Sequence, residues 1–318
     1  MDTGGISDAA QRLWRTVKKE DLDGASWTGS AEGKNGGLLL QGENLSLMAS
    51  LSKQIGAGER APINLVYMDP PYFSNQNPES RLRLKTTSGE KIVKTAGFKD
   101  TWKAADGTQG CSLESYLEML TARIIAAREL LADDGVLWIH LDRRAVHYAR
   151  VMADEVFGGN DNLINEIIWS YKSGGSSTKR FSNKHDTLLF YAKNKHKYKF
   201  SPQKEKSYNR GLKPYRFKGV KEYRDEHGWY TMVNMKDVWD IPMVGRTAAE
   251  RTGYATQKPE ALLERIILAC TEKEDTCLDP FCGSGTLAGV CAKHERKWIC
   301  IDENPEAIKT SADRLGLV

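Results

Sequence analysis

Little in this chain would tie it to a membrane, an oxidising compartment or a metal. It holds no run of about 18 apolar residues, the length that crosses a bilayer. Met1-Asp2-Thr3-Gly4-Gly5 leads into a polar, charged stretch without the apolar core of a signal segment. No membrane association and cytoplasmic residence are the expectations. The six cysteines are Cys111, Cys270, Cys277, Cys282, Cys291 and Cys300, and none forms a C-x-x-C pair. The paired ligands of a zinc site are therefore missing, and a disulfide framework is out of place in a chain of this size with no signal segment. Phosphate-cradling patterns are absent too. Neither G-x-G-x-x-G nor G-K-[ST] occurs, which disfavours a bound triphosphate. There are no internal repeats and no low-complexity tract.

What is present is a globular composition, 40% hydrophobic, which is enough to bury a large core. Charge is unevenly spread. Ser170 to Glu226 holds 16 Lys and Arg against 5 Asp and Glu, a net +11, which leaves the remainder at −7. A basic segment in an otherwise acidic chain is the electrostatic footprint of nucleic-acid binding, and a solvated basic face is the plainer alternative.

Residues 1–34 read as a weakly structured lead-in, with Gly4, Gly5, Gly24, Gly29 and Gly33 scattered among polar residues. From Gly36 the pattern becomes regular. Leu38 to Leu40, Ile63 to Met68, Gly135 to Leu141 and Asn165 to Trp169 read as strands; Asn44 to Leu51, Leu113 to Leu131 and Arg144 to Phe157 have helical spacing. Phe73 to Gly110 is long, polar and low in periodicity, and reads as a loop. Thr187 to Ala192 is another strand, followed by a mostly polar, basic stretch to Gly228. Regularity resumes at Lys258-Pro259. Helix Glu260 to Cys270, strand Thr276 to Asp279, a glycine turn, a helix to Lys293, strand Lys297 to Asp302 and helix Pro305 to Leu315 follow. Such alternation predicts an α/β fold: a doubly wound, mostly parallel sheet with helices on both faces. The implied divisions are a lead-in (1–34), one half of the α/β domain (35–169), an insertion (170–250) and the other half (251–318).

Two segments at strand ends carry the chemistry. In Asp279-Pro280-Phe281-Cys282-Gly283-Ser284-Gly285-Thr286 the glycines allow a tight strand-to-helix turn and a close ligand approach. Asp302 ends the next strand, about 20 residues on, where an acid meets ribose hydroxyls in nucleotide-binding units. With no lysine after the glycines, an adenosine without phosphate fits better than a nucleotide. The second segment is Tyr67-Met68-Asp69-Pro70-Pro71-Tyr72. Its prolines hold the backbone extended and withdraw two N–H donors, so carbonyls around Pro70 are left to accept from outside. Asp69 adds a second acceptor and Tyr72 a flat ring. Two acceptors and a stacking face would hold adenine or cytosine by its amino group. A rigid surface turn would explain the prolines, but less well the acid and the aromatic at the end of an apolar strand.

These residues resemble the catalytic and S-adenosylmethionine motifs of amino-group DNA methyltransferases. Gly253-Tyr254-Ala255-Thr256-Gln257-Lys258-Pro259-Glu260 resembles the segment before the cofactor motif in their circularly permuted β class. The order catalytic motif, target-recognition region, cofactor motif is that of the class. The likeness covers most of residues 36–318, and is greatest to the adenine-specific methylases of type III restriction–modification systems. Phe98 to Trp102, Asp134-Gly135-Val136 and Lys184-His185-Asp186 lie where that group has similar runs. Members of that group are usually much longer, so a solitary or type II-like methylase is expected.

The resemblance implies a Rossmann-like S-adenosylmethionine-dependent fold and DNA adenine-N6 methylation with base flipping. Cytosine N4 is the first alternative, and an RNA or protein-glutamine methyltransferase a further one. A non-enzymatic DNA-binding module would need neither motif. Asp69, Pro70, Pro71 and Tyr72 would be catalytic, and Phe281 to Gly285 would wrap the methionine part of the cofactor. Asp302, or Glu303 in its stead, would bind the ribose. Thr256, Gln257 and Lys258 would line the carboxylate end, and Glu43 or Asn44 would meet the adenine ring. Double-stranded DNA is the partner, with a homodimer and a cognate restriction endonuclease implied by the class. Expected DNA contacts are Lys172, Lys179, Arg180, Lys184, Lys193, Lys195, Arg210, Lys213 and Arg216, interleaved with Trp169, Tyr171, Phe181 and Tyr191. His140 reads better as a satisfied strand-end histidine than as a base. Cys282 is not read as a nucleophile.

Overall fold

Each short apolar run that ends in an acid or a turn residue forms a strand, and each amphipathic stretch between them forms a helix. The structure, a computed structural model, describes residues 2–19, 29–33, 36–74, 79–86, 89–96, 100, 112–172 and 176–317. In chain order the elements are α1 (Thr3–Lys19), β1 (Gly29–Gly33), β2 (Gly37–Gln41), α2 (Asn44–Gly56), β3 (Ile63–Met68), β4 (Glu79–Thr86) and β5 (Gly89–Ala96). Then come α3 (Leu113–Leu130), β6 (Leu131–Leu141), α4 (Val146–Val156), β7 (Leu163–Ser170), β8 (His185–Ala192) and β9 (Lys204–Tyr208). The chain finishes with β10 (Glu222–Asp225), β11 (Gly228–Asn234), β12 (Val238–Asp240), α5 (Glu260–Cys270), β13 (Thr276–Asp279), α6 (Thr286–Lys293), β14 (Lys297–Asp302) and α7 (Pro305–Leu315).

Among the described residues, nine strands form one sheet in the order β1-β2-β14-β13-β3-β6-β8-β7-β12. Neighbours from β2 through β6 are parallel, as are β7 and β12; β1 and β8 run against the rest. Helices α1–α4 pack one face around Met48, Leu120, Ile124 and Met152, and α5–α7 pack the other around Leu262, Ile266, Leu287 and Val290. The fold is thus α/β with a mostly parallel central sheet. The C-terminal ends of β2, β14, β13, β3 and β6 lie along one edge, where α/β folds hold their ligands. Among the described residues, no helix is long and apolar enough to cross a membrane.

Three expectations change. The lead-in contains a helix over 3–19 in place of weak structure. Its helix α1 buries Ile6, Ala10 and Trp14 on a single narrow stripe, and Trp14 Nε1 donates to Glu129 at 2.9 Å. The stretch 73–110 contains an antiparallel hairpin, with β4 pairing β5 from Glu79↔Ala96 to Thr86↔Gly89. Polar and apolar residues alternate along Arg81-Leu82-Arg83-Leu84-Lys85, the period of two that a strand requires. Finally, the stretch 170–250 is not all insertion. β8 and β12 belong to the central sheet, because β8 is apolar enough to be buried between β6 and β7; the separate sheet, β10-β11-β9, spans 204–234.

Candidate active site

β3 and β13 are neighbours, so the acids at their ends, Asp69 and Asp279, emerge side by side; β14 lies next to β13 and brings Asp302 to the same edge. Together they border a cavity of about 500 Å³. Its lining includes Asp69 and Pro71 from the catalytic segment, and Asp279, Pro280, Phe281, Cys282, Gly283, Ser284 and Thr286 from the glycine turn. Glu43, Asn44, Thr256, Lys258, Asp302 and Glu303 line it too. Most of the residues assigned to catalysis and to the cofactor in the sequence therefore converge on one site.

The turn is built to approach a ligand closely. Gly283 sits at φ +51°, and its N–H donates to Asp302 Oδ2 at 2.9 Å. Gly285, at φ +68°, caps α6, and a Cβ there would come within 2.8 Å of Ser311 Oγ. Asn304 N–H donates to the other Asp302 oxygen at 2.9 Å. Burial pushes the Asp302 carboxyl up to about 6 despite these two hydrogen bonds. Burial also lifts Asp279 well above the usual carboxylate range. For Cys282, a hydrogen bond with Cys300 and burial hold the thiol well above its ordinary value, so it is no nucleophile. The described cysteines are buried and free, and Cys111 lies outside the described residues.

At the catalytic segment, Tyr72 Oη donates to Asp69 Oδ1 at 2.7 Å, and the other Asp69 oxygen is ion-paired with Lys258. The Lys258 ammonium lies over the Tyr72 ring, 5.3 Å from its centroid. Tyr116 Oη donates to the Pro71 carbonyl at 2.8 Å and fixes the bend, while Pro70 is buried behind it and outside the cavity lining. Of the remaining runs matched in the sequence, Asp100 accepts from Ser74 N–H at 2.6 Å, and Phe98, Lys99, Thr101 and Trp102 lie outside the described residues.

Beneath Tyr72 runs a buried polar chain. Tyr67 Oη and His140 Nδ1 are 2.7 Å apart, His140 Nε2 approaches Asp186 to 3.5 Å, and Tyr171 Oη donates to Asp186 at 3.1 Å. Burial opposes ionisation of Asp186, but His140, Lys258 and Tyr171 outweigh it and hold the carboxyl below its usual range. His140 is thus a fully buried strand-end residue that is satisfied only in part: Tyr67 engages Nδ1, while Nε2 makes no hydrogen bond among the described residues.

Several assigned residues stand elsewhere. Gln257 is buried, and its amide is spent on its own loop, accepting from Thr252 and donating to the Glu250 carbonyl at 2.6 Å; it shapes the wall without lining the cavity. Gly285 likewise acts through the turn. Lys193 and Lys195 follow β8, which runs antiparallel and so carries them to the opposite edge of the sheet. There Lys193 donates to the Leu131 carbonyl and Lys195 pairs with Asp161. Lys172, Lys179, Arg180 and Lys184 fall between β7 and β8 at the cavity edge, beside Phe181, which is 98% exposed. Arg210, Lys213 and Arg216 are exposed between β9 and β10.

The sequence reading missed Arg123 on α3. Its guanidinium pairs with Glu43 and its Nε donates to Asn44 Oδ1 at 2.6 Å, which orients both at the cavity rim. Asn44 in turn donates to the Pro280 carbonyl at 2.8 Å. Helical spacing marked Leu113 to Leu131 only as a helix, and no local signal distinguishes an arginine turned toward a distant loop.

Known proteins resemble this chain over most of its length. The DNA methylase family matches residues 63–313. A type II methyltransferase of Streptococcus pneumoniae, M2.DpnII, is 31% identical over 255 residues, covering 80% of this chain and 82% of that protein. The DNA adenine methyltransferase YhdJ of Escherichia coli (strain K12) is 27% identical over 261 residues, 80% of this chain and 76% of that one. Among solved structures, the PvuII DNA methyltransferase, described as cytosine-N4-specific, matches with a TM-score of 0.57 at 17% identity, covering 91% of this chain and 89% of that chain. At that identity the likeness is one of fold.

Proposed function

We propose that this chain, which belongs to the DNA methylase family, methylates the N6 amine of an adenine turned out of duplex DNA, using S-adenosylmethionine. The carrying observation is that Asp69, backed by Tyr72, and the Gly283–Asp302 turn face one cavity. The residues fit the cofactor. Asp302 is an acceptor for ribose hydroxyls, Phe281 and the Gly283 backbone offer a close surface, and Lys258 is a cation for the methionine carboxylate. When bound, the cofactor supplies an electrophilic sulfonium methyl.

Extruding a base costs a few kcal/mol, and stacking on Tyr72 returns about 1–3 kcal/mol. An exocyclic amine is a poor nucleophile because its lone pair is delocalised into the ring. Asp69 accepts one of its hydrogens and holds the nitrogen toward tetrahedral geometry, with its lone pair turned to the cofactor side. Positioning and fixed charge supply the acceleration, with no covalent enzyme intermediate. Aspartate at the first motif position, together with the relative named as an adenine methyltransferase, supports adenine over cytosine.

Catalytic segment first and cofactor turn last supports membership of the permuted β class. The type III likeness rests on the motifs quoted above, whereas the M2.DpnII relative carries a type II name. That name supports a cognate restriction endonuclease as partner, and a dimer and cytoplasmic residence belong to the same proposal. Asp69→Ala is expected to lower methyl transfer to duplex DNA by about 10³-fold or more while cofactor binding is retained. Unimpaired transfer by that variant would overturn the catalytic assignment.

A further inference from the structure

Two cations are found among the described residues lining the cavity, and they are held differently. Arg123 is committed to the wall through Asn44, Glu43 and the Met119 carbonyl. Lys258 instead reaches across to Asp69, 189 positions earlier in the chain. Its other hydrogen bond is long, 3.4 Å to the Thr256 carbonyl. The Lys258 and Asp69 side chains are 11% and 16% exposed, so solvent screens the pair weakly.

An N–H donor to Asp69, seated over the face of Tyr72, is also what the amino group of the target base must be. Tyr72 already occupies Asp69 Oδ1, so Oδ2 is the acceptor for which the ammonium and the base amine contend. Lys258 lies over the Tyr72 ring on which the base would stack. We propose that Lys258 is a positioning residue that exchanges partners: the carboxylate of the cofactor draws its ammonium off Asp69 and so opens the place of the base. The inference rests on reading the cavity as the S-adenosylmethionine site.

The charge of the cavity favours that exchange. Glu43 is paired with Arg123 and burial holds Asp279 toward its neutral form, which leaves Asp69, Asp302 and Glu303 as the acids of the lining and Lys258 as the cation that can draw an entering carboxylate. Once parted from the ammonium, Asp69 is a stronger acceptor for an amine. Cofactor and base then assist each other's binding, and linkage makes the effect reciprocal. A base arriving before the cofactor meets an occupied carboxylate.

Calorimetric titration of the full chain with two nucleosides tests this. S-adenosylhomocysteine carries the amino-acid carboxylate, and 5′-methylthioadenosine does not. Asp69→Asn releases Lys258 in advance, so it is expected to raise S-adenosylhomocysteine affinity by about fivefold or more and to leave methylthioadenosine affinity unchanged. In the Lys258→Met background the same Asp69→Asn change is expected to bring no gain. Unchanged methylthioadenosine binding also shows that the variants fold. No gain from Asp69→Asn, or an equal gain for both nucleosides, would overturn the exchange. A wild-type chain that binds neither nucleoside would overturn the cofactor reading itself, a result distinct from either.

Discussion

Asp302 sets a pH dependence on the cofactor side. Its carboxyl is protonated below about 6 because burial disfavours the charge, and a neutral carboxyl is the weaker acceptor for ribose hydroxyls. S-adenosylhomocysteine affinity is therefore expected to rise as pH climbs through about 6 and to level off above it. Titrations between about pH 5 and 8 check this, and a flat profile would remove Asp302 from the ribose site. At this scale the acids and glycines of the site were legible in the sequence, because each stands within a few residues of a strand end. The Lys258–Asp69 pair was not, since its partners lie 189 positions apart and meet only in the fold, where Thr286 after β13 donates to the Lys258 carbonyl and β13 adjoins β3. Gln257 was misplaced for a different reason: a glutamine amide serves a loop as readily as a ligand, and here Thr252 and the Glu250 carbonyl claim it.

Helix α1 holds to the body through Trp14, which is 3% exposed and packs in the core shared with α2, α3 and α4. Trp14→Ala is expected to cost about 3–5 kcal/mol of stability in urea unfolding; a change under about 1 kcal/mol would show that α1 docks by other contacts. Its apolar residues at every fourth position were masked by the glycines and charges around them. The hairpin β4–β5 escaped notice because its alternation is set among long cationic side chains. Strand direction decides which cations can meet DNA at the cavity. The Lys179→Ala/Arg180→Ala pair is expected to weaken duplex binding and to reduce the slope of log affinity against log salt by about 2. The Lys193→Ala/Lys195→Ala pair, on the opposite edge, is expected to leave both unchanged. Filter binding at several salt concentrations separates them, and equal effects would place the duplex elsewhere. Basic residues close in sequence looked alike until the antiparallel run of β8 sent one group away.

Over the whole molecule, the alternating pattern made the sheet and its two helical layers legible, and with them the edge on which the site lies. The reversal of β8 was not, because a buried strand has the same apolar run in either direction. The chain is a DNA methyltransferase whose basic stretch lies between the catalytic strand and the cofactor strand in sequence, while the two strands are neighbours in space. The proposed function places the target base and the cofactor in one cavity at the ends of these strands. Incubation of the full chain with methyl-labelled S-adenosylmethionine and unmethylated genomic DNA, followed by digestion to nucleosides, tests that claim most directly. Label in N6-methyladenine is the expected result. Label in N4-methylcytosine would contradict the choice of base, and DNA without label would contradict the account as a whole.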